Sequence, residues 1–320
     1  MFCSIIIPTV GRQSLSDSVT SVLEQNFTED NFEIIVVNDS GHPLSAEKWQ
    51  NSEQVQIITT QQRERCFARN TGAAIAQGDY FCFLDDDDWL LPNALEKFWH
   101  TIKADSRAGW VYGSVQFVDD AGKPLGNLNQ NKSGNCFLEA MTETWIPLQT
   151  SLIKADAFFH VGGFDPDFIV TQDLDLLRRI AFHYDLISIP DTIACIRRGN
   201  SRKTGTKYTL GWYYIAKGRD NLLAQQDALP ALLKSANGSA YSHGLVLRNY
   251  KSAMLFNLRR HHWLNAASRF SSGLMSCLKS LNYVFAKEYW MAVMDTRPLH
   301  LTLINNLSSD YSAVEEWLYS

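Results

Sequence analysis

The sequence predicts an α/β fold, a mostly parallel central sheet flanked by helices with a C-terminal helical extension. Three observations carry this. Short apolar runs alternate with segments of helical spacing from Ser4 to Leu84, as successive strand–helix–strand units do. Two of the runs end in polar and acidic residues, Asn38 to Gly41 and Asp85 to Asp88, and in such sheets ligands bind beyond the carboxyl ends of strands. After Arg197 the alternation gives way to helical spacing, which dominates from about Tyr208.

In chain order, Ser4 to Ile7 reads as a buried strand, Leu15 to Leu23 as a helix, and Glu33 to Val37 as a second strand ending in Asn38, Asp39, Ser40 and Gly41. Val55 to Ile58 gives a third strand, Cys66 to Ala76 a helix with a small-residue face, and Tyr80 to Leu84 a fourth strand. Pro92 suits the first turn of a helix over Asn93 to Thr101. Trp110 to Val118 reads as a strand, Asp119 to Lys123 as a turn, and the Gly/Asn-rich stretch Gly126 to Asn135 as a flexible loop. Ser151 to Ile153, the turn Gly162 to Pro166 and a helix over Asp173 to Phe182 follow. The boundary of the first domain is expected at about residue 205, with residues 206–320 forming the extension.

With 320 residues, 45% of them hydrophobic, the chain can build an ample core. Cysteines at 3, 66, 82, 136, 195 and 277 form no CxxC pair, which suits reduced thiols and a cytoplasmic location. The apolar start, Met1 to Pro8, lacks a basic flank and is too short for a signal peptide or a span. Charge is uneven along the chain. Residues 1–196 hold 13 Lys/Arg against 27 Asp/Glu, net −14; residues 197–287 hold 15 against 2, net +13; residues 288–320 hold 1 against 5, net −4.

The four consecutive aspartates Asp85 to Asp88 follow five apolar residues. Carboxylates this close oppose one another's ionisation unless a cation joins them, and Mg²⁺ or Mn²⁺ prefers such oxygen donors, completing its shell with water and phosphate oxygens. A solvated acidic turn before a helix is the alternative reading.

Five segments in order, SIIIPTVGR at 4–12, VVNDSG at 36–41, RCFARNTGAAIAQGDYFCFLDDDDW at 65–89, VGGFD at 161–165 and QDLDLLRR at 172–179, resemble the family 2 inverting glycosyltransferases of the GT-A fold. The resemblance implies that Thr9 and Asp39 hold the base and ribose of a donor nucleotide, that Arg69 approaches the nucleotide, and that Asp85 and Asp87 stand in the DxD positions, with Asp87 the metal ligand and Asp85 on the ribose or the metal. It implies a base at the start of a helix, where the family has a Glu-Asp pair and this chain has Gln172 and Asp173; Asp173 is the expected base and Asp175 the runner-up. The loop Arg197 to Lys203 lies where the family closes over the diphosphate, which makes Arg198 and Lys203 candidate contacts.

The implied activity is metal-dependent transfer of a sugar from a nucleotide diphosphate donor, UDP-sugar first, to a hydroxyl of a glycan or lipid-linked acceptor, in surface polysaccharide or lipopolysaccharide biosynthesis. A dinucleotide-dependent oxidoreductase would need GxGxxG after the first strand, where this chain has Pro8, Thr9, Val10 and Gly11. A sugar nucleotidyltransferase would need a glycine-rich basic loop there. A catalytically silent glycan-binding protein of the same fold has Gln172 in its favour. The basic extension suggests peripheral association with the inner face of an anionic membrane through Arg248, Lys251, Arg259, Arg260 and Arg269. Pairing with the acidic half and homodimerisation through apolar helix faces are the alternatives, and no nucleic-acid recognition motif accompanies the charge.

Overall fold

The computed structural model describes residues 2–28, 31–62, 64–142, 146–198, 208–235, 237–259 and 261–294. The chain divides into two compact units, one of residues 1–136 and 145–206, the other of residues 137–144 and 207–320.

Among the described residues the first unit is built on nine strands: β1 (Cys3–Thr9), β2 (Phe32–Asn38), β3 (Val55–Thr59), β4 (Tyr80–Phe83), β5 (Trp89–Leu90), β6 (Trp110–Val118), β7 (Pro124–Leu128), β8 (Ser151–Lys154) and β9 (Leu186–Arg197). They form one sheet in the order β3-β2-β1-β4-β8-β6-β9-β5, with β7 on β6. The predicted parallel pairing holds for β3-β2-β1-β4, with Ile5 opposite Ile34 and Cys82. Beyond β4 the sheet is mixed: β8 enters antiparallel between β4 and β6, and β9 returns parallel to β6. β1, β2 and β4 are buried on both faces, which is why they read as continuous apolar runs, while β3 is exposed at the edge.

Helices α1 (Leu15–Leu23), α2 (Arg65–Ile75), α3 (Ala94–Ala104), α5 (Ala155–His160) and α6 (Gln172–His183) belong to this unit, and α4 (Phe137–Thr142) to the other. α2 starts where the Glu64 carboxylate accepts the amides of Cys66 and Phe67 at 2.9 and 2.6 Å, satisfying two donors that a helix start leaves unpaired. Its interior carries Gly72, where a Cβ would stand 2.5 Å from Ile6 Cγ2, so only glycine lets α2 settle this close to β1. That contact fixes the height of Arg69, one turn earlier. Alternate residues of β4 face opposite layers: Tyr80 packs with Phe2, which in turn meets Phe27 and Trp99, while Phe81 stacks edge-to-face with Phe158 and Phe83 with Phe164.

The stretch expected as a flexible loop is corrected. Its first residues lie in β7, and Gly134 bridges to Leu186, Ser133 Oγ bonds the Ser188 amide at 2.9 Å, and the Tyr112 hydroxyl donates to the Lys132 carbonyl at 2.7 Å. The sequence reading also passed over β9, because Ser188, Pro190 and Asp191 interrupt its apolar pattern.

The second unit is helical: α4, α7 (Tyr208–Leu223), α8 (Ala228–Lys234), α9 (Gly238–Arg259), α10 (Trp263–Lys279) and α11 (Lys287–Met294). Ala240, Tyr289 and Val293 form its small core, and the Tyr241 hydroxyl reaches the Met141 carbonyl at 3.1 Å. Two of the cations assigned to a lipid surface turn inward. Arg248 is fully buried, and the Lys251 ammonium donates to the Val293 carbonyl at 2.5 Å, near the C-terminus of α11 where a positive charge suits the helix dipole. Arg269 is half-buried; Arg260 and the Arg259 side chain lie outside the described residues. Among the described residues no helix is long and apolar enough to cross a membrane.

Candidate active site

β1, β2 and β4 are parallel neighbours, so Thr9, Asp39 and the aspartate run leave the sheet at the same edge. A chain of short contacts joins them. The Asp39 amide donates to the Thr9 carbonyl at 2.8 Å, and the Thr9 hydroxyl donates to Asp86 Oδ2 at 2.6 Å while accepting the Gly11 amide at 3.0 Å. Asp39 is buried; its Oδ1 accepts the Thr60 hydroxyl at 2.8 Å, and its other oxygen has no partner among the described residues.

Each aspartate of the run has different neighbours. Asp85 accepts Arg69 Nη2 at 2.7 Å on one oxygen and Gln149 Nε2 at 2.9 Å on the other. Asp86 takes Thr9 and Arg12, and Arg12 also reaches Asp87 Oδ2 at 3.1 Å. Asp88 accepts Gln149 Nε2 and the Arg197 amide, both at 2.9 Å. One carboxylate oxygen each from Asp85, Asp87 and Asp88 lies within 4.8 Å of the others. Three hard oxygen donors in that space fit a divalent Mg²⁺ or Mn²⁺ ion, and among the described residues no His or Cys joins the group.

The electrostatics follow from these contacts. Burial works against ionisation of Asp85, but Arg69, then Arg65 and Arg12, outweigh it and hold the carboxyl below its ordinary range. Burial also opposes the charge of Arg12, and Asp86 and Asp87 more than offset it. Arg69, itself buried, lies with its guanidinium 5.3 Å from the Phe164 ring centroid. Phe164 is held by Asn70, whose side chain donates to its carbonyl at 2.8 Å and accepts its amide at 3.0 Å, so the Gly162–Pro166 turn and α2 position Arg69 together. The thiols of Cys66 and Cys82 are both pushed up to about 12 by burial, with Glu64 adding to the effect at Cys66; neither is a nucleophile at neutral pH.

Asp173 lies in the first turn of α6, half-buried, its Oδ1 accepting the Leu174 amide at 2.9 Å. Asp175, the runner-up base, is buried against Arg179, whose Nε and Nη2 both donate to its Oδ2 at 2.9 and 2.7 Å. Arg179 also donates to the Val161 carbonyl at 2.6 Å and so ties α6 to the Gly162–Pro166 turn. Burial raises the Asp175 pKa despite Arg179. Asp175 is thereby committed to a structural pair with Arg179.

Arg198 is exposed, its guanidinium 4.9 Å from the Phe117 ring centroid and its amide on the Val118 carbonyl at 2.7 Å. It follows directly on Arg197, whose amide holds Asp88. Lys203 lies outside the described residues.

Two participants escaped the sequence reading. Arg12 ends the segment 4–12 and its charge was a usable signal, three residues after Thr9. Gln149 carried none: a neutral amide in a 3₁₀ turn, it becomes meaningful only when folding sets it between Asp85 and Asp88.

Comparison with known proteins bears on this geometry. The sequence model described as Glycosyl transferase family 2 matches residues 4–168, from β1 through the turn that holds Phe164. An uncharacterized glycosyltransferase of Haemophilus influenzae is 31% identical over 184 residues, covering 55% of this chain and 61% of that protein. One from Rickettsia felis is 29% identical, and the chain spans 32% of its length. The amylovoran biosynthesis glycosyltransferase AmsB of Erwinia amylovora is 25% identical over 231 residues, 65% of this chain and 75% of that protein. Among solved structures, S. aureus TarS 1-349 in complex with UDP-GlcNAc superposes with a TM-score of 0.55 at 13% identity, covering 97% of this chain and 93% of that chain. The match across more than half of the chain, and a strand order that gathers acidic residues at one sheet edge, make this protein a member of glycosyltransferase family 2 with the GT-A fold.

Proposed function

We propose that the first unit transfers a sugar from a nucleoside diphosphate donor, UDP-sugar first, to a hydroxyl acceptor with inversion at the anomeric carbon. The observation that carries this reading is the aspartate run, in which three carboxylate oxygens share a space of 4.8 Å at the sheet edge that also bears Asp39. Asp87 and Asp85 would hold Mg²⁺ or Mn²⁺, with Asp88 in the same group. When bound, the ion neutralises charge on the departing diphosphate.

The remaining roles belong to the chain's own groups. The open oxygen of Asp39 accepts an imide N–H of the base, and Thr9 fixes the turn beneath it through Asp86 and Gly11. Arg69, held by Asp85 and Phe164, directs positive charge toward the nucleotide, and Arg198 and Lys203 act on the diphosphate from the basic loop. Asp173 removes the acceptor proton as the acceptor oxygen bonds the anomeric carbon. The bond from that carbon to the diphosphate oxygen breaks on the opposite face, and its electron pair leaves with the nucleoside diphosphate. A lipid-linked or glycan acceptor in polysaccharide assembly accords with the role named for AmsB, and would place the reaction at a cytoplasmic membrane surface.

The test separates binding from chemistry. Asp173→Asn keeps the donor-dependent rise in thermal stability and loses transfer by about 10²–10⁴-fold. Asp87→Ala loses the metal-dependent part of that rise. Full transfer by Asp173→Asn overturns the base assignment, and a chain that turns over no UDP, GDP or dTDP sugar in the presence of either ion is the silent binding protein to which Gln172 points.

A further inference from the structure

Helix α10 packs in an unusual way for a helix at a protein surface. The residues it buries are small, Ala266 and Gly273, with Gly273 set against Tyr250 of α9. Its large apolar side chains point the other way: Trp263, Leu264, Phe270, Leu274, Met275 and Leu278 are each between 52% and 88% exposed. Trp263, Phe270, Leu274 and Leu278 follow one another at spacings of seven, four and four and so form one stripe, with Leu264 and Met275 beside it. An ordinary surface helix turns such a stripe to the core, and isolated exposed apolar residues need no explanation, whereas a contiguous stripe marks a contact surface.

The charge around the stripe selects among occupants. Residues 228–287 contain eight Lys/Arg and no Asp or Glu. Arg248 and Lys251 are spent inside the unit, but on α10 itself Lys279 is exposed and Arg269 is half-exposed. A second copy docked stripe to stripe would bring like charges together with no counter-charge from this segment. An anionic bilayer supplies that counter-charge, accepts Trp, Phe, Leu and Met at the headgroup boundary, and lets Lys279 extend to the interface. No described helix is long and apolar enough to span, which fits a helix lying in the interface plane.

We propose that α10 is a membrane-docking helix that inserts the Trp263–Leu278 stripe into the surface of an anionic bilayer. This inference stands apart from the sugar-transfer reading, since it uses none of the first unit's residues.

The full chain is floated with vesicles of phosphatidylcholine alone and of phosphatidylcholine with phosphatidylglycerol. Recovery with the anionic vesicles exceeds that with neutral ones by at least about tenfold and falls by about tenfold in the double variant Phe270→Ser, Leu274→Ser. Because both side chains are exposed, the variant melts with the wild type. Lys279→Glu, a second variant that leaves the stripe intact, reduces the preference for anionic over neutral vesicles. Absence of flotation, flotation unchanged in the double variant, or a solution dimer that the double variant dissociates overturns the proposal, the last by making the stripe a self-interface. Nucleotide-sugar turnover in vesicle-free solution is read in parallel and is expected to be equal in wild type and both variants, so loss of docking and loss of transfer are separable.

Discussion

In the first unit the carboxylates of the aspartate run and the Arg69 guanidinium are gathered at the sheet edge and held by named partners, whereas in the second unit α10 packs through Ala266 and Gly273 and turns Trp263, Phe270 and Leu274 to solvent. Buried charge is costly unless paired, and exposed apolar surface forgoes the stabilisation that burial brings, so both regions run against the folding tendency of their residues. The difference lies in where the compensation comes from. The aspartate run is compensated from within the same unit by Arg69, Arg12, Gln149 and backbone amides, and α10 presents a surface whose compensation comes from outside the chain.

The comparison predicts unequal responses to mutation. The largest is expected for Arg69→Ala, which removes the hydrogen-bonded cation of Asp85 and leaves only the more distant Arg65 and Arg12 to offset it and three further carboxylates. Asp85 is 31% exposed, so the loss is set below that of a fully buried pair, at about 2–4 kcal/mol by urea unfolding. Gly72→Ala forces a methyl against Ile6 and costs about 1–3 kcal/mol, and because it lifts α2 it also weakens nucleotide binding as read by thermal shift. Gln149→Leu removes the amide shared by Asp85 and Asp88 and costs about 1–3 kcal/mol, an effect that added divalent ion partly restores if the ion takes over the same oxygens.

A smaller effect concerns pH. Burial raises the folded pKa of Asp175, so its contribution to stability is present below the unfolded carboxylate value of about 4 and is lost as pH rises through the folded value. The unfolding free energy of the wild type relative to Asp175→Asn therefore moves in favour of the wild type as pH falls from 7 to 4. An unchanged difference would show that Arg179 offsets the burial completely. The smallest effect belongs to the other side of the comparison: Phe270→Ser changes stability by no more than about 0.5 kcal/mol, because its side chain is exposed. A loss near that of Arg69→Ala would mean that α10 is buried in the native protein.

Much of this arrangement was legible in the sequence. β1, β2 and β4 are central parallel strands, so burial on both faces writes itself as unbroken apolar runs, and the aspartates follow directly. β9 was not legible, because half of it lies near an edge and carries Ser188, Pro190 and Asp191. Antiparallel entry of β8 was hidden for a different reason: four residues fix a strand but not its direction. At the site, the aspartates and Asp39 could be placed together because they follow strand ends, and Arg69 could be named from the family resemblance, but Gln149 could not, since its task arises from proximity alone. In the C-terminal unit charge misled: Arg248 and Lys251 read as surface cations and are turned inward, while the stripe of α10 has the spacing of an ordinary core-facing helix and becomes unusual only when its orientation is seen.

The most direct measurement is nucleoside diphosphate release from UDP, GDP and dTDP sugars by the full chain with a hydroxyl acceptor, in Mn²⁺ or Mg²⁺ and in chelator, for the wild type and Asp87→Ala. The account predicts turnover of at least one donor that requires the ion and drops at least about a hundredfold in Asp87→Ala. Turnover undiminished by chelator and equal in Asp87→Ala would contradict it.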